Sequence, residues 1–191
     1  MAVFPAFLKL GGRKVLVVGG GPMAAAKIGP LVRAGAVIHL VSPAICDAVD
    51  IEAVTFIEER EFRPADLDGV WFVVAAATPE VNRQVAAEAA KRNLFVNAVD
   101  DPVNASVYLG GVVRRGGVTI AISTDGAAPA LAGLLREAVD AALPGEQEME
   151  SWIARAQDLR AVWRIDAVPM AARRPQLLET LNRIYQTGAP Q

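Results

Sequence analysis

The sequence predicts an α/β architecture: a doubly wound parallel sheet over the first hundred residues, then a small paired-strand region and a helical C-terminal region. Two observations carry this. Short β-rich runs alternate with helical segments up to about residue 100, the rhythm of a parallel sheet with helices on both faces. After Asp100 that rhythm stops, and two β-like runs in close succession give way to helical patterns alone.

Val15–Val18 is an unbroken apolar run, the pattern of a parallel strand covered on both faces. Met23–Ala34 follows with apolar residues at helical spacing, and Gly35 closes it. Val37–Val41, Val54–Glu58 and Trp71–Ala75 read as the second, third and fourth strands. Pro79–Arg92 is a helix with Thr78 as its cap and Pro79 in the first helical position. Phe95–Val99 is the fifth strand. Val107–Val113 and Val118–Ser123 flank Arg114-Arg115-Gly116-Gly117 and read as a hairpin. Helical patterns cover Pro129–Ala142, Gln147–Ala161 and Pro175–Thr187, with a break at Pro144-Gly145. Three regions follow: 1–112, 113–145 and 146–191. Pieces below about 40 residues rarely fold alone, so the middle region is expected to pack against a second copy or the first domain. The expected core is Val15, Leu16, Val17, Val18, Val37, Ile38, Leu40, Phe72, Val73, Val74, Phe95 and Val96.

Composition excludes several classes. Hydrophobic residues make up 53% of the 191 residues and charged residues 21%, so the chain is not disordered. Nineteen Lys and Arg against 21 Asp and Glu leave a net charge of −2, which is no footprint for nucleic acid. A single Cys, Cys46, excludes an internal disulfide or a multi-cysteine metal site, and a single His, His39, excludes a histidine-rich one. Ala34 to Cys46, the longest uncharged stretch, is short of the roughly 18 to 20 apolar residues a membrane span needs. The opening MAVFPAFLK lacks the pattern of a signal peptide. The expectation is a cytoplasmic protein that binds neither nucleic acid nor membrane.

The most informative local motif is Val17-Val18-Gly19-Gly20-Gly21-Pro22-Met23-Ala24, placed where a strand ends and a helix begins. Gly19-x-Gly21-x-x-Ala24 fits a dinucleotide fingerprint: a tight turn at Gly19, close approach of a pyrophosphate at Gly21, and close helix packing at Ala24. The helix start offers free N–H groups and the positive end of its dipole to the phosphates. The acidic residue that would grip the ribose is missing; the chain reads Leu40-Val41-Ser42-Pro43-Ala44 instead, leaving Ser42 or nearby backbone to meet the sugar. No Arg or Lys lies between Arg33 and Arg60, so a 2′-phosphate has no local partner in the sequence. NAD is expected over NADP.

Three further segments are specific in combination: Ala75-Ala76-Ala77-Thr78-Pro79-Glu80-Val81-Asn82, Val96-Asn97-Ala98-Val99-Asp100-Asp101-Pro102, and Ala121-Ile122-Ser123-Thr124-Asp125-Gly126-Ala127-Ala128-Pro129-Ala130-Leu131-Ala132. With the opening Phe4-Pro5-Ala6-Phe7-Leu8-Lys9-Leu10, their order and spacing resemble the precorrin-2 dehydrogenase/sirohydrochlorin ferrochelatase family, the counterpart of the N-terminal half of siroheme synthase. The resemblance covers residues 1 to about 145, and the helical tail only by length and texture. It implies a Rossmann-type domain, a central dimerisation region and a helical C-terminal region. It further implies NAD-dependent oxidation of precorrin-2 to sirohydrochlorin and a homodimer, with insertion of ferrous iron, or cobalt on a cobalamin route, left open. By position it assigns Gly19, Gly21, Pro22, Met23, Ser42, Pro43, Ala44 and Thr78 to the dinucleotide and Asp100 of Asn-x-x-Asp to catalysis. Spacing alone does not separate Asp100 from Asp101. No metal ligand is assigned. Thr124 and Asp125 stand where the family commonly has Ser and Gly. The chain stops at Gln191 without a methyltransferase half, so precorrin-2 is expected from a separate enzyme.

The remaining residues read as follows. Asp101-Pro102 suits the turn itself. His39, inside a strand, and Cys46, with no partner motif, read as packing residues. From residue 113 onward there are nine Arg, no Lys and nine acidic residues. Arg114, Arg115, Arg136, Arg155, Arg160, Arg173 and Arg174 are candidates for the eight carboxylates of precorrin-2, against ordinary solvated helix surface. A short-chain dehydrogenase needs Tyr-x-x-x-Lys, but Tyr108 is followed by Val112 and Tyr185 by Ala189. The alternative function is a non-catalytic dinucleotide-binding sensor, which would use only the first hundred residues.

Overall fold

The computed structural model describes residues 3–188, with side chains through residue 182. The described residues separate into two units, one comprising residues 3–109 and 125–127, the other residues 110–124 and 128–188.

The first unit is a five-stranded parallel sheet. Its strands are β1 (Lys14–Val18), β2 (Val37–Val41), β3 (Phe56–Glu58), β4 (Phe72–Ala75) and β5 (Phe95–Ala98), in the order β3-β2-β1-β4-β5. β1 is central, and its apolar run Val15, Leu16, Val17 and Val18 is buried on both faces of the sheet. Helix α1 (Pro22–Arg33) buries Ala24, Ile28 and Leu31 with Val15, Val17, Ile38, Leu40, Phe72 and Val74 on one face. Helix α2 (Pro79–Ala90) buries Val85, Ala86 and Ala89 with Leu16, Val18, Val73 and Val96 on the other. The alternation of side chains along each strand sorts the residues between the two layers. Gly35 ends α1 with φ +72°, the left-handed conformation that glycine adopts without a Cβ penalty.

Three expectations change at the edges of this sheet. Phe95 is 53% exposed rather than core, and Val37 is half-buried; Phe95 opens the edge strand, where the sheet ends. β3 starts at Phe56, not Val54, because a short 3-10 helix over Ile51–Ala53 precedes it. The Thr55 hydroxyl accepts from the Ile38 amide at 3.1 Å before the strand begins. The first half of the expected Val107–Val113 strand is tied elsewhere: Ser106 and Val107 donate their amides to the Val96 carbonyl.

The second unit begins with a two-stranded antiparallel hairpin, β6 (Gly111–Arg115) and β7 (Val118–Ile122). Its turn is Gly116-Gly117 alone, with φ +49° and +84°, the two positive values that a tight hairpin turn requires. Helices α3 (Pro129–Ala142), α4 (Glu146–Ile165) and α5 (Met170–Gly188) follow. α5 begins five residues before the expected start and carries Pro175 inside it. No helix among the described residues is long and apolar enough to cross a membrane.

Candidate functional site

In sheet order, the chain steps outward from β1 to β2 and β3, then crosses back to β4 and β5 on the other side of β1. That reversal opens a crevice at the C-terminal ends of β1 and β4, where ligands of open α/β sheets bind. The crevice walls are the Gly19–Met23 turn after β1 and the Ala76–Pro79 turn after β4. A cavity of about 280 Å³ lies there, lined by Met23, Ala76, Ala77, Pro79, Asn82, Val99, Asp100 and Asp101.

The three glycines do different work. Gly19 has φ +109°, and a Cβ on it would lie 2.3 Å from the Ala76 carbonyl oxygen. A Cβ on Gly20 would lie 2.3 Å from the Ala44 carbonyl oxygen and 3.0 Å from the Ser42 Oγ. Both positions therefore exclude any larger residue. Gly20, an unrestricted position in the linear fingerprint, is the site residue that sequence reasoning missed. The only signal for it was three consecutive glycines. Gly21 is the reverse case, since a Cβ there meets nothing within 4 Å. Its open face adjoins the start of α1, where no side chain caps the helix and the first turn holds no acid. This is the space a pyrophosphate requires: uncapped backbone donors, no competing carboxylate, and no side chain in the way. The residues present fit a bound dinucleotide.

Pro22 occupies the first turn of α1, and Met23 is 45% exposed and lines the cavity. Ser42 is 5% exposed and its hydroxyl donates to the Ala44 carbonyl at 2.7 Å. It shapes the Ser42-Pro43-Ala44 loop that holds Gly20, and its proton is already committed. Thr78 sits between two lining residues, but its hydroxyl accepts from the Val81 amide as the cap of α2. Asn82, buried one turn into α2, accepts from the Ala77 amide at 2.9 Å and holds the turn after β4 in place.

Structure separates the two adjacent aspartates. Asp101 accepts from the Asn104 amide at 3.3 Å and its side-chain amide at 2.7 Å, so it builds the turn. Asp100 makes no such bond among the described residues, is exposed, and lines the cavity with φ +57°. A non-glycine residue in this left-handed region marks a position where local strain is tolerated. Asn97 is buried, donates to the Val107 carbonyl at 3.0 Å and does not line the cavity. His39 stacks on Phe56 at 4.4 Å, and burial together with Lys14 lowers its pKa. Cys46 packs against the α1-side core.

In the second unit the arginine candidates divide. Arg115 pairs with Asp140 at 2.5 Å and donates to the carbonyls of Asp140, Leu143 and Pro144, a structural role at the end of α3. Arg136 pairs with Glu137. Arg160, Arg173 and Arg174 border a cavity of about 380 Å³ floored by Trp163, Met170 and Leu177. Thr124 accepts from the Ala128 amide at 3.2 Å, and Asp125 stands at φ +53°. Glycine enters that conformation without strain, so the Asp125 departure carries a backbone cost. Among the described residues no group of three or more His, Cys, Asp or Glu is arranged to hold a metal ion.

A family model described as "Putative NAD(P)-binding" matches residues 6–111, and one described as "Sirohaem biosynthesis protein central" matches residues 115–142. "Siroheme synthase" of Photorhabdus laumondii is 43% identical over 152 residues, covering 75% of this chain and 32% of that protein. "Siroheme synthase 1" of Aeromonas salmonicida is 39% identical over 178 residues, covering 91% of this chain and 38% of that protein. The chain thus spans about a third of the length of these relatives. A solved structure titled "SirC, precorrin-2 dehydrogenase" superposes with a TM-score of 0.71 at 25% identity, covering 93% of this chain and 88% of that one.

Proposed function

The chain belongs to the precorrin-2 dehydrogenase/sirohydrochlorin ferrochelatase family, and from that membership we propose that it oxidises precorrin-2 to sirohydrochlorin with NAD on the way to siroheme. The observation that carries this reading is one cavity lined both by Met23, at the start of α1, and by Asp100, at the end of β5. Bound NAD supplies the hydride acceptor. The chain supplies the rest. Gly21 and the first turn of α1 receive the pyrophosphate, the Ser42-Pro43-Ala44 loop faces the adenosine end, and Ala76, Ala77 and Pro79 wall the crevice beyond β4. Oxidation removes a hydride and a proton from the macrocycle, and Asp100 is the base that takes the proton. Of the two carboxylates that line the cavity, Asp100 is the one that no donor among the described residues engages, whereas Asp101 is held by Asn104.

Asp100→Asn tests the assignment. Losing a general base costs about 10² to 10⁴ in rate, so precorrin-2 oxidation nearly stops while NAD affinity holds. Asn adopts the φ +57° backbone at least as readily as Asp, so the fold survives. A variant retaining more than about a tenth of the rate overturns the role. The same anaerobic assay, continued with ferrous iron or cobalt after oxidation, reads the second activity of the family. In that step the metal is a substrate.

The division at 112 and 145 is supported by the bounds of the two family matches. A homodimer formed through residues 107–130 is supported by the hairpin, which is a sheet of only two strands. On α3, Leu131, Leu134 and Leu135 are 50%, 64% and 43% exposed, and a two-stranded hairpin is marginal by itself. We place the reaction in the cytoplasm on the composition, which holds one cysteine.

A further inference from the structure

Along the sequence, no cation lies within reach of Ser42. The sheet changes this. β3 runs parallel to β2 with Glu58 opposite Val41, so both strands end at the same edge. The amides of Ser42 and Arg60 both donate to the Glu58 carbonyl, at 3.1 and 3.0 Å. The backbone of Arg60 therefore lies within a few ångströms of Ser42, which opens the loop at the adenosine end, although 18 residues separate the two in the chain.

Its guanidinium is not available, however. Nε donates to Glu58 Oε2 at 2.8 Å, one terminal nitrogen donates to Asp66 Oδ2 and to the Glu61 carbonyl at 2.9 Å, and the other meets Asp66 Oδ1 and Glu58 Oε2 at 2.6 Å. All three guanidinium nitrogens are thus engaged, with four of the five N–H donors in hydrogen bonds and the second carboxylate in ion-pair contact. Asp66 is anchored in turn by the Arg63 amide at 2.8 Å, and its side chain is 8% exposed. Two carboxylates against one guanidinium leave the cluster net negative. Residues 42–68 carry eight acidic residues against two arginines, so the surroundings do not restore the balance.

We propose that Arg60 is the residue that decides which nicotinamide dinucleotide the site accepts, and that its capture by Glu58 and Asp66 is what makes the site reject a 2′-phosphate. In dinucleotide sites that accept NADP, a nearby arginine accommodates that phosphate. Here every guanidinium nitrogen is held by a carboxylate and the net field is repulsive, so NAD is preferred by electrostatics, without a carboxylate gripping the ribose. The inference rests on the dinucleotide reading and assigns its specificity to residues outside the glycine turn.

The test is equilibrium binding by calorimetry, using NAD, NADP and the fragments ADP and 2′,5′-ADP, which need no nicotinamide. Glu58→Gln removes one negative charge and loosens Nε; Glu58 is 52% exposed, so this variant folds. Asp66→Asn is the stronger release, with thermal melting as its fold check. Each lowers the NADP-to-NAD and 2′,5′-ADP-to-ADP dissociation-constant ratios about tenfold, the scale of one gained charged hydrogen bond. In Glu58→Gln combined with Arg60→Met the gain disappears. Ratios unchanged in both single variants, or a gain that persists without Arg60, overturn the proposal while leaving NAD binding intact. A wild-type chain that binds neither dinucleotide overturns the dinucleotide reading and this proposal with it.

Discussion

Replacing Gly21 with alanine separates binding from folding more cleanly than any other single change in this site. Gly21 has φ −84° and ψ −177°, extended backbone that any L-residue adopts. The added methyl meets nothing within 4 Å, so no contact is strained. As the residue preceding α1, glycine is preferred over alanine by up to about 1 kcal/mol. The stiffer unfolded chain of the alanine variant offsets about 0.4–1 kcal/mol of that. The net change is therefore below about 1 kcal/mol, or at most about 2–4 °C in Tm for a chain of this size. Binding behaves differently. The methyl projects into the open space before the uncapped first turn, where the pyrophosphate would approach. Losing one backbone bond to a charged group costs about 1.5–3 kcal/mol, which is roughly ten- to a hundredfold in the NAD dissociation constant. Gly20→Ala is the contrasting variant: its Cβ lies 2.3 Å from the Ala44 carbonyl oxygen and 2.9 Å from the Ile45 Cα. The backbone must shift, at about 1–3 kcal/mol, and Tm falls together with affinity. Calorimetry and thermal melting of the two variants side by side make the comparison. Wild-type NAD affinity in Gly21→Ala, at wild-type Tm, would refute the reasoning, because the open face would then not be where the phosphates sit.

Three further outcomes follow from the structure. Burial opposes ionisation of Asp66, but Arg60 and the Arg63 amide outweigh it and hold the carboxyl below its ordinary value. The stability it contributes is present above the unfolded pKa of about 4 and is lost as pH falls through the folded one, so acid unfolding of Asp66→Asn shows a shallower pH dependence than wild type below about pH 5. Arg115→Met leaves the carbonyls of Asp140, Leu143 and Pro144 without their donor; both partners are partly exposed, so the loss in chemical denaturation is about 1–2 kcal/mol rather than the figure for a buried pair. Sedimentation at micromolar concentration gives a dimer, and Leu134→Glu on the exposed face of α3 shifts it toward monomer; a wild-type chain that is monomeric and fully active refutes the assembly.

Periodicity and turn chemistry were enough to determine the α/β class, the sheet strands, and the glycine turn between β1 and α1. These are local signals. An unbroken Val15–Val18 run, Pro79 after Thr78, and Gly35 at a helix end each state their conformation within a few residues of chain. Motif order was enough to name the family and, through its Asn-x-x-Asp motif, to assign Asp100 to catalysis and leave Asp101 to the turn, although spacing alone does not separate the two. The tertiary structure adds a difference in partners that spacing does not show: both aspartates line the cavity, but Asn104 engages Asp101 and not Asp100. The need for glycine at position 20 was equally invisible, because the obstacle is the Ala44 carbonyl in the loop after β2, 24 residues away. Arg60 gives the clearest case. In the sequence it closes a long gap without cations. In the sheet, strand pairing of β2 with β3 sets it beside Ser42, and two carboxylates take up its donors. Conformation is written in neighbouring residues, whereas contact and charge neutralisation depend on which distant segments the sheet places side by side.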